Sequence, residues 1–388
     1  MKWVKNIIDN LKPNFSKGGK FPWLHSTFDA FETFAFVPKT TTKTGAHFRD
    51  ANDMKRTMFL VVIALVPALL VGTYNIGYQH FHSLDISIGL FDNIWENLWF
   101  GIVKILPIVL ISYIVGLGIE FAFAQWRGHE VNEGYLVTGM LIPLVMPPDV
   151  PLWQLTLAII FAVIIGKEVF GGTGMNFLNP ALLARAFLFF AFPSSMSGDK
   201  VWIAEKADAF SGATPLAEMM VGGHHPSLSF LDMVIGFMPG SIGETSVIAI
   251  LLGGILLLIT GIANWRIMLS VFLGGTFMGL IFNFFGSNSY TQLPFYYHFV
   301  MGGFMFGAVF MATDPVTASQ TNRGKWIYGF LIGLMAVLIR VVNPAYPEGM
   351  MLSILLLNVF APLIDYFVVD SNIRKRKKRW NLKGGENV

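Results

Sequence analysis

Hydrophobic positions along this chain fall in long uncharged runs rather than in alternating or striped patterns. The stretch from Ser246 to Gly261, with Val247, Ile248, Ile250, Leu251, Leu252, Ile255, Leu256, Leu257 and Leu258, carries no charge at all. About 20 such residues in a helix cross the core of a bilayer. Ten apolar segments are read in this way, near 57–74, 98–124, 135–146, 153–169, 178–192, 246–262, 267–285, 297–312, 326–341 and 350–369. The expected fold class is therefore an all-α polytopic membrane protein. Residues 1–56 form a polar, basic arm with Pro and Gly, 193–245 the long polar connection, and 370–388 a basic tail. The first apolar run starts only near Met58, which argues against a cleaved secretory leader.

Composition agrees with this pattern. Of 388 residues, 54% are hydrophobic and 13% charged, against roughly a quarter charged in soluble domains. The chain has no cysteine, which excludes disulfides and thiolate-held clusters within it. None of its histidines forms a facing mid-span pair, and His224 and His225 read as solvated loop residues. No nucleic-acid partner is expected; membrane lipid is.

Charge gives an orientation. Ten Lys and Arg lie between Lys2 and Arg56, and the tail adds Arg374, Lys375, Arg376, Lys377, Lys378, Arg379 and Lys383. Positive charge stays on the cytoplasmic side. Both ends are then inside, which requires an even number of crossings.

A repeat is superimposed on the segments. Pro147-Pro148-Asp149-Val150 and Thr313-Asp314-Pro315-Val316 each follow a short apolar segment. Asn179-Pro180 and Asn343-Pro344 each open another, and the two pairs are offset by 165 and 164 residues. Five segments per half, an odd number, make the copies inverted: one repeat over 57–192, the other over 246–369. Matched, interrupted segments mark binding sites in such folds. Segment 135–146 has 12 residues, about 18 Å of helix, too short to span. It reads as a half-helix, or alternatively as a longer helix kinked at Pro143.

Charges inside the membrane are candidate functional groups. Glu120, after Gly116-Leu117-Gly118, is either such a group or an interfacial carboxylate in water. Asp314 suits a turn before Pro315 and ion coordination alike. Arg185 is expected to pair with Glu168 for structure, and Lys167-Glu168 to be a membrane-edge pair. In Gly171-Gly172-Thr173-Gly174-Met175-Asn176-Phe177-Leu178-Asn179-Pro180, the glycines permit close backbone approach. Asn176 and Asn179 offer donors and an acceptor suited to an imide edge or an uncharged sugar-like chain, although the spacing alone favours helix capping and tight helix packing. In the long loop, Thr214 follows Ser211, Gly212 and Ala213; small neighbours leave room for an esterified phosphate there, and ordinary loop chemistry is the competing account.

Several of these stretches resemble one family. His129-Glu130-Val131-Asn132-Glu133-Gly134, Lys167 to Phe190, Phe210 to Thr214, Pro239 to Glu244, Met311 to Val316 and Arg340 to Met351 are similar to the B subunits of sodium-translocating NADH:quinone reductases. The resemblance covers essentially the whole chain and extends more distantly to the D subunit of ferredoxin:NAD reductase complexes. It implies FMN joined through its phosphate to Thr214 by a separate flavin transferase, with Ser211, Gly212 and Ala213 completing the motif. It also implies a non-covalent riboflavin, for which Asn176, Asn179, Thr173 and Gly174 are the candidate neighbours. A urea-transporter-like fold is implied, in agreement with the inverted repeat. Gly116 and Glu120 are implied near the quinone, and with Asp314 they are candidates for the quinone or cation path. Leu117 stands where the family often has a second glycine. The implied setting is a bacterial inner membrane, with both termini cytoplasmic. The other subunits of the complex oxidise NADH, a quinone accepts the electrons and sodium is exported. Two alternatives stay open: a passive solute channel of the same fold, and the flavin subunit of a ferredoxin-linked complex.

Overall fold

The computed structural model describes residues 2–15, 54–84, 93–128, 134–207, 210–221, 226–286, 288–343 and 348–384, with scattered positions between 19 and 47. The expectations for His224, His225, Pro344 and the 129–133 part of the first family stretch lie outside the described residues.

Among the described residues the structure is helical, without strands. The helices are α1 (Lys2–Phe15), α2 (Met54–Ser83), α3 (Ile94–Arg127), α4 (Tyr135–Leu144), α5 (Leu152–Gly166), α6 (Pro180–Ala191), α7 (Val247–Ile259) and α8 (Trp265–Phe285). They are followed by α9 (Phe304–Phe306), which runs on as a π-helical turn over Gly307–Met311, and by α10 (Asn322–Val342) and α11 (Met350–Gly384). Six helical stretches are long and apolar enough to cross a membrane: Lys55–Ser83, Ile94–Arg127, Leu152–Phe170, Trp265–Phe285, Asn322–Val342 and Met350–Asn381. Helices α4, α6 and α7 are apolar but shorter.

The outward surface is apolar, as lipid requires. On α3, Leu106, Leu110 and Ile114 are exposed, with Trp95 and Trp99 near one end and Trp126 at the other. Indole rings favour the two membrane–water interfaces, which suits this placement. Polar groups turn inward: Asn97, Ser112 and Glu120 are buried on the opposite face of the same helix. Close helix contacts use small residues, since apolar burial gives no drive between helices in lipid. A Cβ on Gly274 would strike the carbonyl of Phe330, and one on Gly333 that of Val271, so α8 and α10 meet backbone to backbone.

Three elements differ from their expectation. Segment 297–312 is no single helix. It breaks after Tyr297–Val300, and Gly302 turns the chain at φ +62° before α9. Helix α11 does not stop at 369 but continues through the basic tail to Gly384, because no Gly or Pro interrupts Arg374–Lys383 and Lys and Arg are good helix formers. The N-terminal arm opens with a helix, α1, ending after Pro13.

The connection 193–245 folds back onto the helix ends. Ile242 N–H donates to Met146 O (3.1 Å) and Gly243 N–H to Leu144 O (2.7 Å), closing the end of the short α4. Asn75 donates to Met238 O (2.9 Å). Lys104 bridges Asp149 (3.1 Å) and Glu205 (2.8 Å). Glu205 sits at φ +49°, a conformation disfavoured for a non-glycine residue. The Lys104 bridge and the Glu205 N–H bond to Asp149 (3.2 Å) hold it there.

Candidate functional site: an inner cavity and a threonine at a helix start

The short elements α4 and α6, with the turn after α9, enclose a cavity. Gly134, Thr138 and Leu141 of the α4 side face it, with Thr173, Asn176 and Asn179 from the glycine-rich turn, and Phe310, Thr313 and Asp314 from the other half. Its water-sized interior is about 110 Å³. The structure thus brings Thr173, Asn176, Asn179 and Asp314 together, although 135 positions separate Asn179 from Asp314.

Each wall residue has a local reason for its place. Gly171, Gly172 and Gly174 have φ of +121°, +92° and +90°, values that other residues rarely adopt, so the turn depends on them. Gly174 is not among the residues facing the cavity; it shapes the turn that presents its neighbours. Asn179 caps α6, its Oδ1 accepting from Ala181 N–H (3.0 Å) and Leu182 N–H (3.3 Å). That leaves its amide donors for the cavity. Asn176 spends a donor on Leu178 O (3.1 Å), leaving an acceptor oxygen. Capping and cavity lining are therefore compatible uses of the same side chains. Asp314 caps its own turn through Val316 N–H (3.1 Å) and the Thr317 hydroxyl (2.9 Å), and makes no ion pair among the described residues.

Glu120 and Gly116 lie one turn apart on α3 and do not face the cavity. Glu120 is 5% exposed, so it is not an interfacial carboxylate in water. It accepts a hydrogen bond from the ammonium of Lys167, which does line the cavity. Gly116 makes room for a ring: a Cβ there would overlap Tyr135. The Tyr135 hydroxyl donates to Ser112 O (2.9 Å), and the Ser112 hydroxyl to Gly139 O (2.8 Å).

Two expected pairings are corrected. Arg185 does not pair with Glu168. It binds Glu244 (2.7 Å), Glu348 and the Ser241 hydroxyl (3.1 Å) instead. Lys167 and Glu168 are not a membrane-edge pair either: Lys167 turns to Glu120, and Glu168 to Arg127 (3.7 Å). These partners lie 41 to 163 positions apart, so no local pattern announces them.

Thr214 starts the short helix Pro215–Met220 and caps it, Oγ1 accepting from Ala217 N–H (3.2 Å). Ser211 is exposed, Ala213 and Thr214 half-buried, and Gly212 buried. Gly212 itself has no room for a side chain: a Cβ there would lie 2.5 Å from Asp199 O. Thr214 instead faces a second small cavity of about 70 Å³, shared with Trp202, Glu244 and Glu348. On the same loop the bridge to Lys104 holds the Glu205 carboxyl below its ordinary range.

A family model described as the NQR2, RnfD, RnfE family matches residues 41–374. The chain belongs to this family. The match begins after α1 and ends within α11, so it spans both cavities, five of the six long apolar helices in full and the sixth as far as residue 374. Similar relatives within the family are proteins named as the B subunit of Na(+)-translocating NADH-quinone reductase. The one from Chromohalobacter salexigens is 48% identical over 97% of this chain and 96% of its own length. The one from Ectopseudomonas mendocina is 49% identical over 97% and 99%. The one from Pseudomonas aeruginosa is 48% identical over the same shares.

Proposed function

We propose that this chain is the B-type membrane subunit of a sodium-translocating NADH:quinone reductase, carrying electrons through flavins while sodium is exported. The observation that carries this reading is the near-full-length likeness, at 48–49% identity, to relatives of that name. A ferredoxin-linked role and a passive channel have no comparable support.

Thr214 is proposed as the attachment point of FMN, through a phosphoester made by a flavin transferase. The chemistry fits: the esterified oxygen still accepts from Ala217 N–H, and the helix cap survives. The cavity beside it is too small for a flavin ring, so the ring would lie outward, over the exposed Ser211 side. Riboflavin is proposed for the inner cavity, held by Asn176, Asn179 and Thr173. The donor and acceptor set suits an imide edge, and Val137, Leu141 and Phe310 supply apolar walls. Pockets for ligands of this size run to a few hundred Å³, so entry of the ring requires the walls to part. When bound, the flavins supply the redox chemistry; the protein supplies position and field.

The sodium path is proposed to pass Asp314 and Glu120, with quinone reduction near Gly116. Support for two inverted repeats comes from α4 and from the α9 turn, short elements followed by Asp149 and Asp314 respectively. The basic tail and arm favour a setting in a bacterial inner membrane with both ends in the cytoplasm. NADH oxidation falls to partner subunits. Moving one charge against 100 mV takes roughly 2.3 kcal/mol, which the redox steps must supply.

In-gel fluorescence tests the reading. Denatured chain from cells that have the flavin transferase should fluoresce as a flavoprotein, and Thr214→Val should be dark. A dark wild-type band removes the proposal.

A further inference from the structure

Lys167 belongs both to the wall of the inner cavity and to a buried ion pair behind that wall. Its side chain is 3% exposed and that of Glu120 4%. Its ammonium also lies 5.7 Å from the ring centre of the fully buried Tyr135. Glu120 does not reach the cavity, so the order is carboxylate behind, ammonium between, cavity in front. Among the described lining residues Lys167 is the only cation and Asp314 the only anion. The neighbouring Glu168 is occupied by Arg127. A buried ion pair stabilises a wall no better than two well-packed apolar residues would. Its presence here therefore points to a use for the charge.

We propose that Lys167 tunes the redox state of the ring held in this cavity, and that Glu120 is a positioning residue acting through Lys167. The proposal rests on the reading of the cavity as the second flavin site. A flavin that takes up two electrons and one proton gains one negative charge. A cation at the wall stabilises that reduced form over the neutral oxidised one, and in a dry interior the effect is poorly screened. Lys167 has one ammonium for two anions, the reduced ring and Glu120. Charge arriving on the ring loosens its hold on Glu120 and leaves that carboxylate open to another cation. Glu120 lies one turn from Gly116 on α3, so the state of the ring is felt on the helix face proposed for the quinone and cation path.

The test is a redox titration of the non-covalent flavin in the purified complex, at fixed pH and sodium, after its content is measured by extraction. Glu120→Gln leaves the ammonium unshared and should raise the midpoint potential above wild type. Lys167→Met combined with Glu120→Gln removes both charges without stranding either, and should lower it below wild type. Lys167→Arg keeps the charge and should stay near wild type. A packing defect would move the first two variants in the same direction. Retained flavin with potentials that do not move, or that move together, overturns the role of Lys167 alone. A wild-type complex with no non-covalent flavin overturns the cavity reading and this proposal with it.

Discussion

Single residues in this chain act through partners far away in sequence, and their substitution should show it. Lys167→Met alone strands Glu120 as a buried, unpaired carboxylate, which costs about 3–5 kcal/mol. The Lys167→Met, Glu120→Gln double variant should recover most of that loss in thermal unfolding of the detergent-solubilised complex. Equal destabilisation of the two would show that the pair is not the source. Gly116→Val should overpack the Tyr135 ring at a cost of about 1–3 kcal/mol. The same measurement checks it, with Gly118→Ala as control, since nothing lies near a Cβ at Gly118. The candidate residues themselves are legible from the sequence as charges or amides among apolar neighbours. Their partners are not. Nearness in sequence favours Glu168 as the partner of Arg185, yet Arg185 binds Glu244 and Glu348. Burial of Glu120 is equally hidden, because the Lys167 that neutralises it lies 47 positions away.

Elements are legible where length and apolarity alone decide them. The long helices α3, α8 and α10 stand where the apolar runs place them, with ends within four residues, whereas α2 starts as expected but continues nine residues past position 74 to Ser83. Broken elements are less legible, since hydropathy does not record backbone direction. The turn at Gly302 divides an apolar segment without any polar signal beyond two adjacent glycines. Helix α6 depends on its cap: Asn179→Ala should cost about 1 kcal/mol and should also release the non-covalent flavin. Extraction of flavin from the purified variant reads the second effect, and full retention would confine Asn179 to capping. The loop clip at Glu205 should respond to pH. Its folded pKa is depressed, so its stabilisation is complete above the ordinary carboxylate value and fades as pH falls through the lowered one. Proteolysis of the 193–245 connection should quicken on acidification in that range. Lys104→Met should remove the dependence.

Across the whole molecule, the two halves meet around a cavity, and the connection between them carries Thr214. Basic residues at both ends of the chain favour termini on the same, cytoplasmic side, which a protease-accessibility assay on sealed inverted vesicles tests by cleavage within the helical tail after Arg374. Asp314→Ala should leave NADH oxidation by the complex largely intact while sodium uptake into proteoliposomes falls severalfold; unchanged sodium-to-electron coupling would take Asp314 off the path. Whether the chain is an electron-carrying flavoprotein is decided by mass spectrometry of the purified protein. The peptide containing Thr214 should carry one FMN, less one water, and the same peptide from Thr214→Val should carry none. An unmodified wild-type peptide from cells that have the flavin transferase would refute the assignment.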